Sequence, residues 1–262
     1  MTENAQDAQQ APGPSQAQGV YVYGIVRAGA SLGALEHGDD GLPQVRLVEA
    51  GDLAALVSDS PERATRDSVL GHGRVLEAAL EGSPVVPLRY GLVMTGEDAV
   101  RSEVLEAHHD ELAQLLERFD GRVQMTLKDY YREDAVVAAI LAEEPELARL
   151  RDAVQGKPEE ASYKERVRLG ELLNTAIEKR KQADGKEILE RLRPLAEAVG
   201  LEPPEDELMV AHVVFLLKRD QVGELDLTLE EVAEERAELM RFRLIGPMPA
   251  YNFIEFEEPA WA

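Results

Sequence analysis

The chain has 262 residues, enough for two ordinary domains or one large one, and carries a formal net charge of −23 at pH 7. That charge disfavours electrostatic binding to nucleic acid and to anionic membrane surfaces. Cysteine is absent, which excludes disulfide scaffolds, thiolate metal sites and thiol catalysis. No apolar run approaches the roughly 18 residues that a membrane span needs, so we expect an acidic cytoplasmic protein without a membrane segment.

The first 18 residues are rich in glutamine, alanine and proline and lack large aliphatic side chains after the first methionine. Such a composition cannot bury enough apolar surface to offset the entropy lost on ordering, so it predicts a disordered tail over 1–18. Beyond the tail, β-branched and aromatic runs predict strands, and apolar residues at helical spacing predict a helix. These elements are strands over 20–26, 44–49 and 53–58, a helix over 64–81, and a short edge strand over 84–88.

Three patterns, each a serine or threonine followed three residues later by an acidic residue, match the capping box that begins many helices. They are Thr95–Asp98, Ser162–Glu165 and Thr228–Glu231. The first predicts a helix that runs to Phe119. The other elements predicted here are a strand over 122–131, helices over 133–200, a strand over 208–218, a helix from Thr228, and strands over 242–245 and 252–256.

The order of these elements predicts an α+β fold with two domains after the tail: residues 19–120, and residues 121–262 with the helical segment 133–200. In the second domain the order is strand, long helix, strand, helix and strand. A split sandwich with helices on one face of a sheet satisfies that order with right-handed connections. Within the helical segment, one buried face is predicted by the spacing of Ile188, Leu192, Leu195 and Val199.

The sequence offers no constellation of catalytic or metal-binding residues. His108 and His109 are neighbours on a predicted helix and point about 100° apart, and His72 is better explained by a local partner than by catalysis. No nucleotide-binding, zinc-protease or nucleophile-elbow motif follows a predicted strand. Paired acidic residues fall on predicted loops or helix faces, which is typical of a solvated surface. We therefore predict no catalytic residues, no metal and no cofactor.

Two segments are typical of an interface or an ordered turn. The first, 87–91, places an arginine and a tyrosine between proline and glycine, which fits either a partner contact or a strand-edge arginine paired with a carboxylate. The second, 246–253, has two prolines that remove backbone donors, so it is either a rigid corner or an aromatic lip for a partner. The candidate partner-binding residues are Pro87, Leu88, Arg89, Tyr90, Gly91, Pro247, Pro249, Tyr251, Asn252 and Phe253.

Together with residues 21–25, these segments resemble the GvpL/GvpF family of gas vesicle proteins, and the resemblance extends from residue 20 to residue 256. The three motifs read YVYGI, PLRYG and GPMPAYNF in this chain. The family's closing motif usually reads GPWPPYNF, so Met248 stands in place of the tryptophan and Ala250 in place of a proline. The middle motif usually has phenylalanine where Tyr90 stands.

The resemblance implies a two-domain α+β protein whose C-terminal part is a modified ferredoxin-like fold with a long helical insertion. It also implies a non-enzymatic accessory role in gas vesicle assembly. The expected partners are the small hydrophobic shell protein, whose aggregation this chain would limit, and other gas vesicle accessory proteins. An exposed sheet edge or apolar groove would suit such a β-rich, apolar client, and a strongly acidic chain would keep it dispersed.

Three other functions remain open. A ligand-binding regulatory module would need a closed pocket with convergent polar groups, for example around Arg89 and Tyr90. A hydrolase would need two carboxylates in one concave site with separated pKa values. A scaffold would use the mixed charges of segment 133–200 to contact other accessory proteins. An assembly factor, by contrast, predicts an exposed apolar patch or unpaired strand edge and no buried cluster of ionisable groups.

Overall fold

The computed structural model describes residues 19–38, 42–60 and 66–254, so the predicted tail over 1–18 lies outside the described residues. The described chain divides into two compact units. Residues 19–83 and 87–114 belong to the first unit, and residues 84–86 and 115–254 belong to the second. The mixture of helices and strands in both confirms the predicted α+β class.

The first unit is built around an antiparallel core of long strands. Its sheet runs in the order β2-β3-β1-β4, and β5 also pairs with β1. Every residue of β1 except Arg27 is buried, as is every residue of β3 except Asp59, because β-branched and aliphatic side chains fill both strands. The strands are β1 (Val20–Arg27), β2 (Arg46–Ala50), β3 (Leu53–Asp59), β4 (Val86–Pro87) and β5 (Val93–Met94).

The helices that follow these strands differ in regularity. Helix α1 (Arg66–Gly82) buries one face, with Val75 and Leu76 fully enclosed. Helix α2 (Glu97–Ala99) continues as a π-helical segment over Val100–Glu106, and α3 (His109–Arg118) follows it.

The second unit is a four-stranded antiparallel sheet with helices in its two longer connections. The sheet order is β7-β8-β6-β9, so β7 and β9 are the end strands. Its strands are β6 (Arg122–Tyr131), β7 (Ala198–Leu201), β8 (Met209–Lys218) and β9 (Met240–Met248). Its helices are α4 (Glu133–Glu143), α5 (Pro145–Val154), α6 (Glu159–Leu192) and α7 (Val222–Glu235).

All three predicted capping boxes are wrong. The helix after Thr95 begins at Glu97 with Gly96 as its N-cap, which offers no side chain for capping. Ser162 and Thr228 lie inside α6 and α7, and their hydroxyls donate to carbonyls four residues earlier. In so acidic a chain the pattern arises often by composition alone, and a helical serine or threonine can satisfy its hydroxyl on the preceding turn.

The helical segment predicted over 133–200 is also wrong at its end. Leu192 closes α6, a short 3-10 turn containing Pro194 follows, and residues 198–201 form the strand β7. Val199, predicted on the same helix face as Leu192, pairs instead with Phe215 of β8. A spacing of three or four residues therefore continued by chance across a proline that ends the helix.

The last predicted strand, over 252–256, is corrected as well. Tyr251–Phe253 form a 3-10 turn, and the described chain ends at residue 254. By contrast, the predicted strands over 20–26, 53–58, 122–131 and 208–218 are confirmed within two residues at each end.

Candidate functional site

Two of the three sequence motifs meet in the first unit on one buried histidine. His72 of α1 lies with Nδ1 2.8 Å from the Tyr21 hydroxyl and Nε2 3.0 Å from the carbonyl oxygen of Leu88. The backbone N–H of Gly91 donates to the same Tyr21 hydroxyl at 3.1 Å. The motif at 21–25 and the motif at 87–91 are therefore parts of a single hydrogen-bonded cluster, which we call the tyrosine–histidine cluster.

The partners of His72 fix its tautomer. A carbonyl oxygen only accepts, so the proton is on Nε2, and Nδ1 accepts the Tyr21 hydroxyl. Burial lowers the pKa of His72 below its ordinary value. Burial also raises the pKa of Tyr21 to about 12. Both groups are therefore neutral at pH 7, and the Tyr21 hydroxyl donates the hydrogen bond that His72 Nδ1 accepts.

Two further tyrosines complete the cluster. Tyr23 hydrogen-bonds to Ser58 at 3.0 Å, Tyr90 hydrogen-bonds to Ser68 at 2.6 Å, and the rings of Tyr21 and Tyr23 meet edge to face at 4.8 Å. A cavity of about 410 Å³ borders these side chains. Because the hydroxyls already bond within the cluster, they hold the motif together rather than converge on an open space.

The structure separates the candidate residues of segment 87–91 into buried and exposed ones. Pro87 and Leu88 are buried, Tyr90 is half-buried, and Arg89 and Gly91 are exposed. Gly91 has a φ of +99°, a left-handed conformation that favours glycine. Arg89 is therefore the exposed long side chain of this segment, and it does not line the cavity that Tyr90 borders, so the pocket expected around both residues does not include Arg89.

The third motif forms an ordered corner in the second unit. Asn252 holds it in place: its backbone N–H donates to the Gln124 side chain at 3.0 Å, and its own amide donates to Glu202 at 2.8 Å. Phe253 is only 7% exposed and belongs to the core, whereas Tyr251 is 38% exposed. Of the remaining candidates in this motif, Pro249 is buried and Pro247 is exposed.

A buried carboxylate in the second unit was missed by the sequence reasoning. Asp129 of β6 is fully buried, and one of its oxygens accepts the backbone N–H of Ala211. The other oxygen has no hydrogen-bond partner among the described residues. Burial raises the pKa of Asp129 to about 7. The alternation of β6 could have found it, since Leu127, Asp129 and Tyr131 share one face of the strand.

Other ionisable groups lie next to Asp129, so the prediction that buried ionisable clusters would be absent is wrong. The Tyr131 hydroxyl donates to Asp184 at 2.6 Å, and Arg236 pairs with Asp184 at 3.2 Å and with Glu187 at 2.8 Å. The hydrolase hypothesis needed two such carboxylates in one concave site. Neither Asp129 nor Asp184 lines the cavity beside the tyrosine–histidine cluster or the groove described next.

The second unit carries an apolar groove between α6 and the start of β8, which we call the α6–β8 groove. Its volume is about 430 Å³. Its apolar lining includes Gly185 and Leu189 of α6, Met209 and Ala211 of β8, and Leu201, the last residue of β7. Charged side chains also line it: Glu178, Lys181, Lys186 and Glu202. Leu201 is 69% exposed, the largest exposed fraction among the large apolar side chains of the described residues.

The described residues offer neither a metal site nor a membrane-spanning helix. In 19–38, 42–60 and 66–254, no three histidine, aspartate or glutamate side chains are grouped as a metal ion would require. None of the helices in these ranges is both long and apolar enough to span a bilayer.

The known proteins that this chain resembles are gas vesicle proteins, and the similarity extends over nearly the whole chain. The sequence profile of the family described as "Gas vesicle synthesis protein GvpL/GvpF" matches residues 19–255. Gas vesicle protein F of Streptomyces sp. (strain CB03234) is 34% identical over 240 residues, which cover 90% of this chain and 99% of that protein. Gas vesicle protein L of the same strain is 26% identical and covers 91% of this chain and 93% of that protein.

Solved structures agree at the level of the fold. The crystal structure of the gas vesicle protein GvpF from Anabaena sp. PCC7120 superimposes with a TM-score of 0.78 at 24% identity. The match covers 92% of this chain and all of that one. The GvpF structure from Microcystis aeruginosa gives a TM-score of 0.73 at 23% identity.

Proposed function

The chain belongs to the GvpL/GvpF family of gas vesicle synthesis proteins, and we propose that within gas vesicle formation it binds the small apolar shell protein and limits its aggregation. The observation that carries this proposal is the family match, which extends over residues 19–255. The family is one of gas vesicle accessory proteins and not an enzyme family. The finer role, direct contact with the shell protein in the cytoplasm or on the vesicle, is our proposal.

The charge of the chain supports a role in keeping an apolar client dispersed. With a formal net charge of −23 at pH 7, the protein repels other copies of itself, so a complex that includes it resists association with similar complexes. A client with an apolar surface still needs an apolar contact on the binding protein. The α6–β8 groove and the exposed Leu201 at its end provide such a surface.

The architecture of the second unit supports a ferredoxin-like description of this part. Its elements follow the order strand, helices, strand, strand, helix, strand, and the sheet order is β7-β8-β6-β9. Helices α4, α5 and α6 all lie in the first connection, where a long helical insertion was expected.

A scaffold role is the second candidate, and one observation favours it. Tyr163 and Val167 lie one turn apart on α6 and are 62% and 43% exposed. An apolar pair on an otherwise charged helix suits contact with a second accessory protein. The ligand-binding alternative has less support, because the hydroxyls beside the 410 Å³ cavity are already bonded to one another.

Co-expression with the shell protein tests the main proposal. The shell protein is produced alone, with this chain, and with an unrelated acidic protein of similar size, and its soluble fraction is measured after centrifugation. We expect this chain to raise the soluble fraction and to retain the shell protein in a pull-down. If the soluble fraction matches that obtained with the unrelated protein, direct client binding is wrong, and the scaffold role becomes the better explanation.

A further inference from the structure

The two end strands of the second sheet differ in how they are protected against pairing with another chain. Strand β9 carries exposed Arg241 and Arg243, and Pro247 removes one backbone donor near its end. Charges and prolines are the usual means of preventing edge-to-edge association. Strand β7 has the sequence AVGL, with neither a charge nor a proline, and it ends with the exposed Leu201. Strand β7 is therefore the edge that is open to a partner.

The strand next to β7 extends beyond it and leads into the α6–β8 groove. Strand β7 pairs with residues 213–216 of β8, and the N–H of Glu202 donates to the His212 carbonyl at 2.9 Å just past that ladder. Val210 and Ala211 lie further along β8 and line the groove. Leu201, the last residue of β7, lines the groove as well, so β7 ends at the groove.

Close approach of α6 to β8 shapes the floor of the groove. A Cβ built at Gly185 would lie 3.5 Å from the carbonyl oxygen of Val210, which is ordinary van der Waals contact. Val210 Cγ1 and Ala211 Cβ would lie 3.7 and 3.8 Å from the same Cβ, so a side chain larger than alanine at Gly185 would press against the β8 lining of the groove. Lys181, which also lines the groove, is buried and donates to Glu178 of the same lining at 2.7 Å.

The loop that follows β7 is acidic, and its first residue, Glu202, lines the groove. The segment after β7 reads EPPEDE over 202–207, so four carboxylates lie in six residues. Lys128 forms an ion pair with Glu205. The loop carries three further carboxylates, so its negative charge exceeds the single positive charge of Lys128. An apolar segment that lay along β7 and entered the groove would meet this excess of negative charge, which complements a lysine or arginine at that end of the segment.

We propose that the β7 edge and the α6–β8 groove together bind an extended apolar segment of the shell protein, with a basic residue of that segment against residues 202–207. This inference rests on the proposed function and assigns it a surface. Backbone pairing along β7 supplies affinity that does not depend on side chains, and the groove selects apolar ones. The binding mode is the addition of a strand to a sheet edge.

A charge placed on the open edge tests the proposal directly. In Leu201→Lys the new ammonium lies where the apolar segment would pack, so we expect pull-down of the shell protein to fall by about tenfold. The matched control is Leu227→Lys, because Leu227 is 65% exposed on α7 and lies outside the groove lining. We expect the control to retain the shell protein as the unmodified chain does.

Two further variants test the groove and its acidic end. Gly185→Leu places a side chain between α6 and the β8 lining of the groove, and we expect it to weaken retention of the shell protein; Tm is measured to show whether α6 still packs on β8. Glu207→Lys reverses one charge of the loop, and we expect a smaller loss, about threefold, that shrinks as salt is added.

The outcomes separate this inference from the function on which it rests. If the unmodified chain retains the shell protein and Leu201→Lys and Gly185→Leu retain it equally well, the surface is wrong and the function stands. If the unmodified chain itself retains none, the function fails and the inference fails with it. Loss in both variants at unchanged Tm, with retention in Leu227→Lys, supports the proposed surface.

Discussion

The tyrosine–histidine cluster of the first unit and the Asp129 cluster of the second are both buried and polar, but they are satisfied to different degrees. In the first, His72 uses both ring nitrogens on partners inside the fold, and burial leaves it neutral. In the second, one oxygen of Asp129 has no hydrogen-bond partner in the described parts of the chain. Burial raises its pKa, so the carboxyl group resists ionisation near neutral pH.

This difference shows that burial of a polar group has opposite consequences according to its partners. A neutral cluster with complete hydrogen bonding fixes the position of the segments it joins. A carboxyl group with an unpaired oxygen is an energetic liability whenever it is ionised. We therefore expect the two clusters to respond oppositely to mutation: disruption of the first should destabilise the fold, and neutralisation of the second should stabilise it at alkaline pH.

Removal of the His72 ring should have the largest effect. His72→Ala leaves a cavity and deprives both the Tyr21 hydroxyl and the Leu88 carbonyl of a partner, so we expect a loss of about 3–4 kcal/mol in the free energy of unfolding at pH 7. Denaturant titration followed by circular dichroism measures it. The control is His37→Ala, because His37 is exposed after a short 3-10 turn, and its replacement should leave Tm nearly unchanged.

The pH dependence sharpens this prediction. Because the pKa of His72 is lower in the folded state, the unfolded chain takes up a proton below about pH 6.5 that the folded chain does not, and the unmodified protein loses stability there. His72→Ala lacks this dependence. The difference in free energy of unfolding between the two proteins should therefore be smaller at pH 5 than at pH 7. An equal difference at both pH values would contradict a His72 ring that stays neutral in the folded state.

Asp129→Asn should act in the opposite direction. The folded-state pKa of about 7 lies above the model-compound value of 3.8, so the folded state binds the extra proton between these values. The contribution of Asp129 to the free energy of unfolding therefore decreases as pH rises from about 4 to 7. Above pH 7 the carboxylate is ionised in both states, and the full cost of burying its charge lowers stability. At pH 8 we expect the neutral asparagine to stabilise the fold, on the order of 2–3 kcal/mol.

At pH 4 the same substitution should have a much smaller effect, because Asp129 is then protonated in the folded state, where it resembles the amide, and about half protonated in the unfolded state. Urea titrations of both proteins at pH 4 and pH 8 provide the comparison. A variant that is less stable than the unmodified protein at pH 8 would mean that the ionised carboxylate has a partner, and the contrast between the two clusters would then be lost.

The sequence predicts these clusters unequally. The strands that carry Tyr21 and Asp129 follow from β-branched and alternating apolar patterns, and their bounds were predicted within two residues. The partnership of His72 with Leu88 could not be predicted, because it joins residues distant in sequence through one backbone carbonyl. Strand β7 was missed because four residues after a proline-containing turn continue a helix-like spacing, and only pairing with β8 identifies them as a strand.

The smallest expected effect concerns the rim of the first cluster. Tyr90→Phe removes the 2.6 Å hydrogen bond to Ser68 and keeps the ring, which lies 5.7 Å from His72. Tyr90 is half-buried, so water can replace the lost partner, and we expect a loss of about 1 kcal/mol or less by the same titrations. If Tyr90→Phe were as damaging as His72→Ala, the cluster would depend on its outer hydroxyl rather than on the histidine that joins its two motifs.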